Sequence, residues 1–482
     1  MKQSCNSYIT LYFALTIGVM LALIFTLTEG VRRQTIRTET EGVMDIGLHS
    51  VFGEYHRQLL EQYDLFYIDT SYGENLPSIE ATEEHLQYYM NLNFEKPAGG
   101  VLDLTGIRCD NVKMTEYLRP TDHNGKVLQR QAVEYISEKS GMSVAEDVLT
   151  HLGIIRSNSL DTRDIAGERA SIKEGIEGLL ERKRQELRAE GVPEEEIHVS
   201  ISNPADSVDA IRGTGILGLA LPEGRKLSAI AVDTESYQSH RCALTGKGRL
   251  FRDTSGIEEG ISRLLFQKYL FEKCGYFGRE LEKSLLKYQM EYLIKGGGLD
   301  RENLEEVLED ILQIREAANL LHLFSDSEKQ AQADMVAAVV TALLGIPKLQ
   351  ELVKLSILFA WSYAESVKDV RILLEGNRVP LLKDADSWNT PLSQLLTFTS
   401  HLDEYRASES GMSYEDYLRV FLYMQPETTL CFRFMDVCEM DIRLTPDNAF
   451  FRMDGCVEAV TAKVNVSSGY GYGYDITRSY HY

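Results

Sequence analysis

Histidine is the commonest metal ligand in proteins and the side chain that most readily exchanges a proton near neutral pH, so the histidines are the first candidates for chemistry. The chain has ten of them, and none lies in an HExxH pair or beside a pair of cysteines. His49 and His56 would lie two turns apart on one helix, and no nearby spacing supplies the further ligands that a metal ion requires. We therefore interpret the histidines as surface or packing residues. We expect neither a metal site nor a cofactor.

The cysteines do not form a recognisable site either. There are seven, an odd number that leaves at least one free thiol. They stand at Cys5, Cys109, Cys242, Cys274, Cys431, Cys438 and Cys456. Because no CxxC pair and no zinc spacing occurs among them, a disulfide framework is not indicated.

Motifs for nucleophilic or phosphate chemistry are incomplete. The segments "GMSYE" and "GMSVA" begin like a GxSxG nucleophile motif but lack its last glycine, and "TGKGR" lacks the upstream glycine of a phosphate-binding loop. Acidic pairs such as Glu305 with Glu306 fall on the polar face of an amphipathic helix pattern. No residue is a catalytic candidate, and we expect the protein not to be an enzyme.

Length and charge limit the classes of function. A chain of 482 residues predicts two or three compact units. A net charge of -23 disfavours nucleic acid as a partner, because binding it requires a basic surface that neutralises phosphates. We therefore expect no nucleic-acid interaction.

The most informative segment lies near the amino end. From Ile9 to Leu27 there are 19 residues without a charge, and at 1.5 Å per residue they reach about 28 Å, roughly the thickness of the hydrocarbon core. A cleaved signal would have a shorter apolar run and a small-x-small site. We predict a short tail (1–8) and a retained signal-anchor, a transmembrane helix (9–28) that contacts the lipid bilayer.

An amphipathic stem helix is expected to follow over residues 29–68, because no proline interrupts the chain before Asn75. Gly42, Gly47 and Gly53 would either allow close packing or mark bends. One packing face recurs at intervals of three and four residues. It consists of Met44, Leu48, Phe52, Tyr55, Leu59, Tyr63 and Phe66.

The segment "FALTIGVMLALIFTLTEGVRRQTIRTETEGVMDIGLHSVFGEY" resembles the N-terminal segment of TadE/TadG-like proteins of the tight-adherence (Tad, Flp-type) pilus machinery. In those proteins an apolar span closes on an acidic residue, a glycine and an arginine, positions occupied here by Glu29, Gly30 and Arg33. An Ala-Asp-Ala-like core follows in the family, and Asp45 in "VMDIG" corresponds to it. The alanine-rich run of the family is replaced here by larger residues. The resemblance implies a membrane-anchored component of a pilus or surface apparatus.

A second resemblance covers most of the chain. The segments "EYHRQLLEQYDLFYIDTSYG", "IREAANLLHLFSDSEKQAQA" and "VRILLEGNRVPLLKDADSW" are similar to an uncharacterised bacterial family found mainly in Gram-positive anaerobes, with the same type of N-terminus. That family has no known activity, so the resemblance implies protein partners rather than a reaction.

Orientation is argued both ways. Arg32, Arg33 and Arg37 follow the span while Lys2 precedes it, so the positive-inside rule would keep the body of the protein in the cytoplasm. The Tad-like resemblance implies a body outside. We favour a single-pass protein of the cell membrane with an extracytoplasmic C-terminal domain.

The remaining pattern predicts an α+β protein that is predominantly α. We expect a mixed α/β region (69–250) with a helical insert (122–192), a helical bundle (251–445) and a C-terminal β-hairpin (446–482). Short antiparallel strands are expected near 98–119 and at the C-terminus, where Val460, Ala462, Val464 and Val466 alternate with polar residues. The tyrosines of "YGYGY" would share one face of a strand.

Three short apolar segments could each form more than one kind of structure. "MVAAVVTALLGI" and "LSILFAWSYA" are too short to span a membrane and are predicted as core helices of the bundle. "GILGLALP" is predicted as a short strand or an extended linker.

These observations lead to one main hypothesis and two alternatives. The main hypothesis is a non-enzymatic, membrane-anchored protein that acts as an accessory or minor-pilin-like component of a Tad/Flp-type pilus or cell-surface assembly apparatus. The first alternative is a membrane-tethered module or enzyme for a cell-wall ligand, and the second is a membrane scaffold that faces the cytosol.

Overall fold

The computed structural model describes residues 3–95, 105–140, 146–249, 258–406 and 408–482, and most of them are helical. In chain order the helices and strands are α1 (Gln3–Phe52), α2 (Arg57–Tyr63), β1 (Ile68–Asp69), α3 (Ile79–Phe94), β2 (Ile107–Leu118), α4 (Lys126–Ser140), α5 (Glu146–Ser157), α6 (Ile165–Ala189), α7 (Pro204–Arg212), α8 (Ile216–Ala220), α9 (Glu259–Lys273), α10 (Gln289–Lys295), α11 (Asp300–Ser325), α12 (Ser327–Thr341), α13 (Pro347–Leu374), α14 (Tyr414–Met424), α15 (Glu427–Ile442), β3 (Cys456–Val457), β4 (Ala459–Ser468) and β5 (Gly473–His481). The predicted fold class, a predominantly helical α+β protein with a long N-terminal helix and antiparallel strands, is confirmed. Residues 98–104 of the predicted strand region lie outside the described residues.

Helix α1 runs without a break for 50 residues and ends at Phe52. The chain then turns, and His56 begins α2, where its Nδ1 accepts a hydrogen bond from the backbone N–H of Leu59 at 3.2 Å. The segment 29–68 predicted as one stem helix therefore contains the outer half of α1, then α2 and the first residue of β1. The apolar spacing continues across this turn, so periodicity alone did not reveal it.

The chain divides into two compact units. Unit 1 comprises Met1–Lys139, Ser236–Ile257 and Phe434–Tyr482, and unit 2 comprises Ser140–Glu235 and Glu258–Arg433. The segments 69–250, 251–445 and 446–482 were drawn from local pattern, whereas the units are defined by contacts in space. Both units are consequently assembled from stretches that are far apart in the sequence.

Unit 1 is a layer of helices on an antiparallel sheet. The sheet has the order β2-β4-β5, and a separate two-stranded sheet joins β1 with β3. Helices α1 and α3 contact each other, and their apolar side chains share one core with the inward residues of β2 and β4. From α1 this core receives Ile36, Val43, Met44, Leu48, Val51 and Phe52. At about 1.5 to 3 kcal/mol per buried large apolar side chain, these six stabilise unit 1 by on the order of 10 kcal/mol.

Two glycines of α1 have different surroundings. A Cβ at Gly47 would lie 2.9 Å from Leu86 Cδ1 and 3.1 Å from Met90 Cγ, so this glycine allows α1 and α3 to approach closely. A Cβ at Gly42 would meet no heavy atom within 4 Å. Of the two roles expected for the glycines, close packing therefore applies at Gly47.

Unit 2 is a helical bundle arranged around α13, a helix of 28 residues. Helix α13 contacts α6, α7, α8, α11 and α12, and its residues from Ser356 to Leu374 are buried. The prediction that "LSILFAWSYA" is a core helix is confirmed by this burial.

The neighbouring α12 differs from its prediction. It buries the small residues Ala333, Ala337 and Thr341, whereas Met335 and Val339 are 70% and 75% exposed. Small side chains let α12 lie close to α13, and that contact turns the larger side chains outward. The part of "MVAAVVTALLGI" up to Thr341 thus lies in a helix with one exposed apolar side, and the rest of the segment follows the end of that helix.

The segment "GILGLALP" also differs from its prediction. It forms the short helix α8, in which Ile216 and Leu217 are buried, instead of a strand or an extended linker. A short apolar run fits a buried helix turn as well as a strand, and tertiary contacts decided between them.

We predict that Gly47→Leu lowers the thermal unfolding temperature of the full chain in detergent, because a larger side chain would overpack the contact with α3 at a cost of about 1 to 3 kcal/mol. Gly42→Leu is the matched control on the same helix, and it should leave the unfolding temperature unchanged or slightly higher. Equal effects of the two substitutions would contradict the close approach of α1 and α3.

Candidate functional site

The inner half of α1, residues 9–28, carries apolar side chains on every side, and almost all of them are exposed. Tyr12, Leu21 and Phe25 are 66%, 48% and 70% exposed. The hydroxyls of Thr16 and Thr26 donate to backbone carbonyls one turn earlier, at distances of 2.8 to 3.0 Å. Since these polar groups are satisfied within the helix, the inner half is suited to a hydrocarbon environment.

Charged residues begin where the apolar run ends. Glu29 accepts a hydrogen bond from Arg32 at 2.9 Å and lies 3.8 Å from Arg33. The guanidinium of Arg32 lies 4.0 Å from the ring centre of Tyr470, and that of Arg33 lies 4.7 Å from the ring centre of Tyr472. These cation–π contacts fasten the tip of the C-terminal hairpin to the helix where it leaves the apolar segment.

Of the four residues that the Tad-like resemblance selects, Glu29 and Arg33 lie in this charged cluster at the end of the apolar run. Gly30 and Asp45 do not take part in it. Gly30 is exposed, and a Cβ there would meet no heavy atom within 4 Å. Asp45 is more than half exposed, and its Oδ1 lies 3.5 Å from Nε of Arg478 on β5. The structure thus joins Glu29 and Arg33 in one cluster with the hairpin and places Asp45 farther along α1.

The predicted packing face is distributed over two helices and a loop. Met44, Leu48 and Phe52 lie in the core of unit 1 on α1, and Leu59 and Tyr63 are buried on α2. The hydroxyl of Tyr63 donates to Asp441 at 2.7 Å. The last members of the face are less buried: Tyr55 is half-buried and Phe66 is 41% exposed, with their ring centres 5.8 Å apart.

Sequence reasoning missed the upstream part of this face. Ile36 and Thr40 are buried on α1, one turn apart, and Thr40 donates to the carbonyl of Ile36 at 2.7 Å. Spacing of four residues was the available signal, but the arginines and glutamates around these positions obscured it. The buried side of α1 therefore starts closer to the apolar segment than the predicted face does.

Tyrosines of the C-terminal hairpin hold the outer half of α1. We call them the tyrosine collar, and they are Tyr470, Tyr472, Tyr474, Tyr480 and Tyr482. The hydroxyl of Tyr480 lies 2.9 Å from Nδ1 of His49, and its ring centre lies 4.5 Å from that of Phe52. Tyr482 donates to the carbonyl of Phe52 at 2.5 Å, and burial raises the pKa of its hydroxyl.

The contacts also define the direction of β5. Arg33 meets Tyr472, Glu41 and Asp45 meet Arg478, and Phe52 meets Tyr482, so both elements advance together along the chain. Helix α1 and strand β5 therefore run in the same direction.

Buried charges elsewhere include ion-paired clusters in both units. In unit 2, Lys383 contacts Glu365 and lies 2.6 Å from Asp369, which also lies 2.9 Å from Arg315, and all four side chains are fully buried. Burial acts to raise the pKa of Asp369, but Arg315 and Lys383 outweigh it and hold that pKa below its ordinary value. The cluster fixes how α11 and α13 pack.

Unit 1 has a comparable cluster. Arg241 contacts Glu439 and lies 2.7 Å from Asp454, and Arg452 lies 2.8 Å from Asp454. Within the described residues, no group of three or more His, Cys, Asp and Glu side chains is placed to hold a metal ion.

A groove of about 560 Å³ lies in unit 2 between α6, α7 and α13. Its floor includes Ile176 and Leu180, and its rim carries charges of both signs. Arg169 on the rim lies 3.6 Å from Asp209, and Arg184 lies 3.1 Å from Glu181. Lys173, Glu177 and Asp206 also line the groove and form no ion pair within 4 Å with another described residue, so the rim charge is only partly neutralised.

The fold and this site fit a protein with a helix-rich α+β body and a membrane anchor, since α1 is the one helix in the described part of the chain that is long and apolar enough to cross a membrane. Residues 194–468 match the model of a family described as "Family of unknown function (DUF5702)", and the chain belongs to that family. The matched segment ends with β4, so α1 and β5 lie outside it. No curated protein and no solved structure matches the chain.

We predict that Tyr482→Phe destabilises the end of α1, because the carbonyl of Phe52 loses its hydrogen bond at a cost of about 0.5 to 1.5 kcal/mol. Faster amide hydrogen exchange in residues 46–54 would report the change. Tyr474→Phe is the matched control, since the hydroxyl of Tyr474 lies 3.5 Å from the carbonyl of Arg33 and is exposed. If both variants exchange like the wild type, the collar does not stabilise the helix end.

Proposed function

We propose that this protein is a non-enzymatic, membrane-anchored component of a Tad/Flp-type pilus or cell-surface assembly apparatus, accessory or minor-pilin-like in its role. The observation that carries the proposal is the division of α1 into a bare apolar inner half and an outer half built into unit 1. A subunit of a filament or its assembly machine needs such a helix, because the inner half can be held in lipid or by other helices while the outer half carries the folded body.

The Tad-like resemblance of the N-terminal segment supports the same proposal. Glu29 and Arg33 lie together at the end of the apolar run, beside the collar. One side of the helix, which includes Val31, Gln34, Thr35 and Thr38, is exposed next to this cluster. An exposed side adjacent to the apolar segment gives a partner in the same membrane a surface to contact.

The ligand-binding alternative rests on the groove of unit 2. Arg169 pairs there with Asp209, whereas Lys173, Glu177 and Asp206 form no ion pair within 4 Å in the described part of the chain and would be available to a charged ligand. None of the lining residues lies on α1, so this alternative does not account for the division of that helix.

The proposal places the body of the protein outside the cytoplasm, whereas the scaffold alternative places it in the cytoplasm. Labelling of the cysteines can measure on which side of the membrane the body lies. Cys242 is exposed, whereas Cys109, Cys274, Cys431, Cys438 and Cys456 are buried. Cys5 precedes the apolar run, so it would lie on the opposite side of the membrane from Cys242.

We expect a membrane-impermeant maleimide to label the Cys5→Ser protein in intact cells through Cys242. The matched Cys242→Ser protein should react only after lysis. The reverse pattern would place the body in the cytoplasm and would overturn the proposal in favour of the scaffold.

We further expect a photo-crosslinking amino acid at Thr35, on the exposed side of α1, to form adducts with other pilus or envelope-assembly components in cells. The same amino acid at the exposed Glu282 of unit 2 is the control for random capture. Adducts should be identified by mass spectrometry after denaturing purification. Absence of any assembly component at Thr35 would count against the pilus role while leaving the membrane anchor intact.

A further inference from the structure

The three-stranded sheet of unit 1 has two edges, and the edge formed by β2 is covered. Gln87 on α3 donates to the carbonyl of Asp110 at 2.9 Å. The side chain of Asn91 on the same helix accepts from the backbone N–H of Cys109 at 2.9 Å and donates to its carbonyl at 3.2 Å. These side chains take the positions that a further strand would occupy.

The rest of the β2 edge is protected too. Glu83 accepts from the backbone N–H of Met114 at 2.6 Å, and the backbone of Tyr117 exchanges two hydrogen bonds with Lys247 at 2.9 and 2.8 Å. The pairing of β2 with β4 also shifts register at two places, as bulges do. Side-chain caps and bulges are devices by which natural sheets prevent pairing at an edge.

The opposite edge, formed by β5, has none of these devices. Its register with β4 is unbroken from Gly473 to His481. The strand contains no proline, and the odd-numbered side chains along it are exposed. A regular, uncapped strand of nine residues is long enough to pair with another strand.

The free backbone groups of β5 can be assigned from the ends of its ladder. Ser468 N donates to the carbonyl of Tyr472 at 2.8 Å, and Tyr482 N donates to the carbonyl of Glu458 at 3.4 Å. Even-numbered residues of β5 therefore bond to β4, and in an antiparallel ladder the odd-numbered residues between them direct their N–H and C=O groups the other way. In the part of the chain that the structure describes, no backbone hydrogen bond joins these outward groups to another segment.

We propose that the β5 edge is a strand-acceptor site, at which an extended segment of another polypeptide adds a fourth strand to the sheet. Main-chain hydrogen bonds to the odd-numbered residues would supply the affinity, and the alternating side chains of β5 would select the register. The inference goes beyond the proposed function, because it does not depend on which apparatus the protein serves.

A second copy of this chain does not fit as the occupant. Two identical edges pair symmetrically in the antiparallel arrangement, about a two-fold axis normal to the sheet. Because α1 runs in the same direction as β5, that axis would point the two inner halves of α1 to opposite ends of the pair. Copies inserted in one membrane with one orientation cannot meet in this way.

Charge selects the kind of strand. Among the outward side chains of β5, the acid Asp475 is 55% exposed although it pairs with Lys463, whereas the basic inward side chain, Arg478, lies against Asp45 on α1. The half-exposed inward side chains of the strand include Tyr474, Ile476 and Tyr480. The geometry and charge suit a neutral or basic strand in which β-branched residues alternate with polar ones.

The test uses the full chain in detergent and two nine-residue peptides in which valine alternates with threonine, one with lysine and one with glutamate at both ends. The lysine peptide should bind more tightly and should slow deuterium uptake in a peptic fragment that covers residues 470–482. A copy of the lysine peptide that is N-methylated at alternate positions has the same side chains but cannot complete the ladder, and it should neither bind nor protect.

Two variants of β5 complete the design. Thr477→Pro removes one outward N–H and leaves the bonds to β4 in place, so it should weaken peptide binding about tenfold relative to Thr477→Ala, which keeps that N–H. If Thr477→Pro fails to fold, the N-methylated peptide on the wild-type protein decides the question alone.

Three results would overturn the inference. They are equal binding of the methylated and unmethylated peptides, absence of protection in residues 470–482, and a peptide-free protein whose oligomeric state changes with Thr477→Pro but not with Thr477→Ala. The last result would assign the edge to a second copy. Because the assay uses isolated protein, its outcome is separate from the crosslinking result at Thr35.

Discussion

The burial of one side of α1 against the sheet is the contact on which unit 1 depends. The helix brings Ile36, Met44 and Phe52 to the core, and the sheet brings the alternating valines of β4. Without this contact the sheet would have a solvent-exposed apolar face, and the outer half of α1 would be an isolated amphipathic helix. The anchor and the folded body are therefore parts of one structural element rather than two modules joined by a linker.

Several buried carboxylates are neutralised by cations from other parts of the chain. Buried carboxylates such as Glu365, Asp369 and Glu439 each contact lysine or arginine. Their partners lie on other segments of the chain, so each pair specifies which segments meet.

The same sheet combines a protected edge with an open one. Helix α3 caps β2 with Asn91 and Gln87, while β5 keeps its outward backbone groups uncapped among the described residues. The collar explains part of this arrangement: tyrosines on one face of β5 bind α1, which orients the strand but leaves its edge free. Membrane anchoring and strand acceptance can thus use the same strand, through its face and its edge.

The sequence by itself determined the elements whose pattern is local. A charge-free run of membrane length, helical periodicity after it, a helix-rich middle and alternating valines near the end are all readable without a structure, because side-chain burial in a helix or strand follows its own repeat. Glu29 and Arg33 were singled out from the sequence by a resemblance, whereas their contact with the collar was not predicted.

Tertiary structure alone decided everything that depends on distant partners. Strand β2 pairs with β4 although more than three hundred residues separate them in the sequence. The local sequence of either strand does not predict which strand is its partner. Contacts with α13 decided that α12 buries alanines and exposes Met335, and that "GILGLALP" is a helix. The physical reason is that local pattern states which side of an element is apolar, whereas the packing of the whole chain decides which neighbour covers that side and which edge stays open.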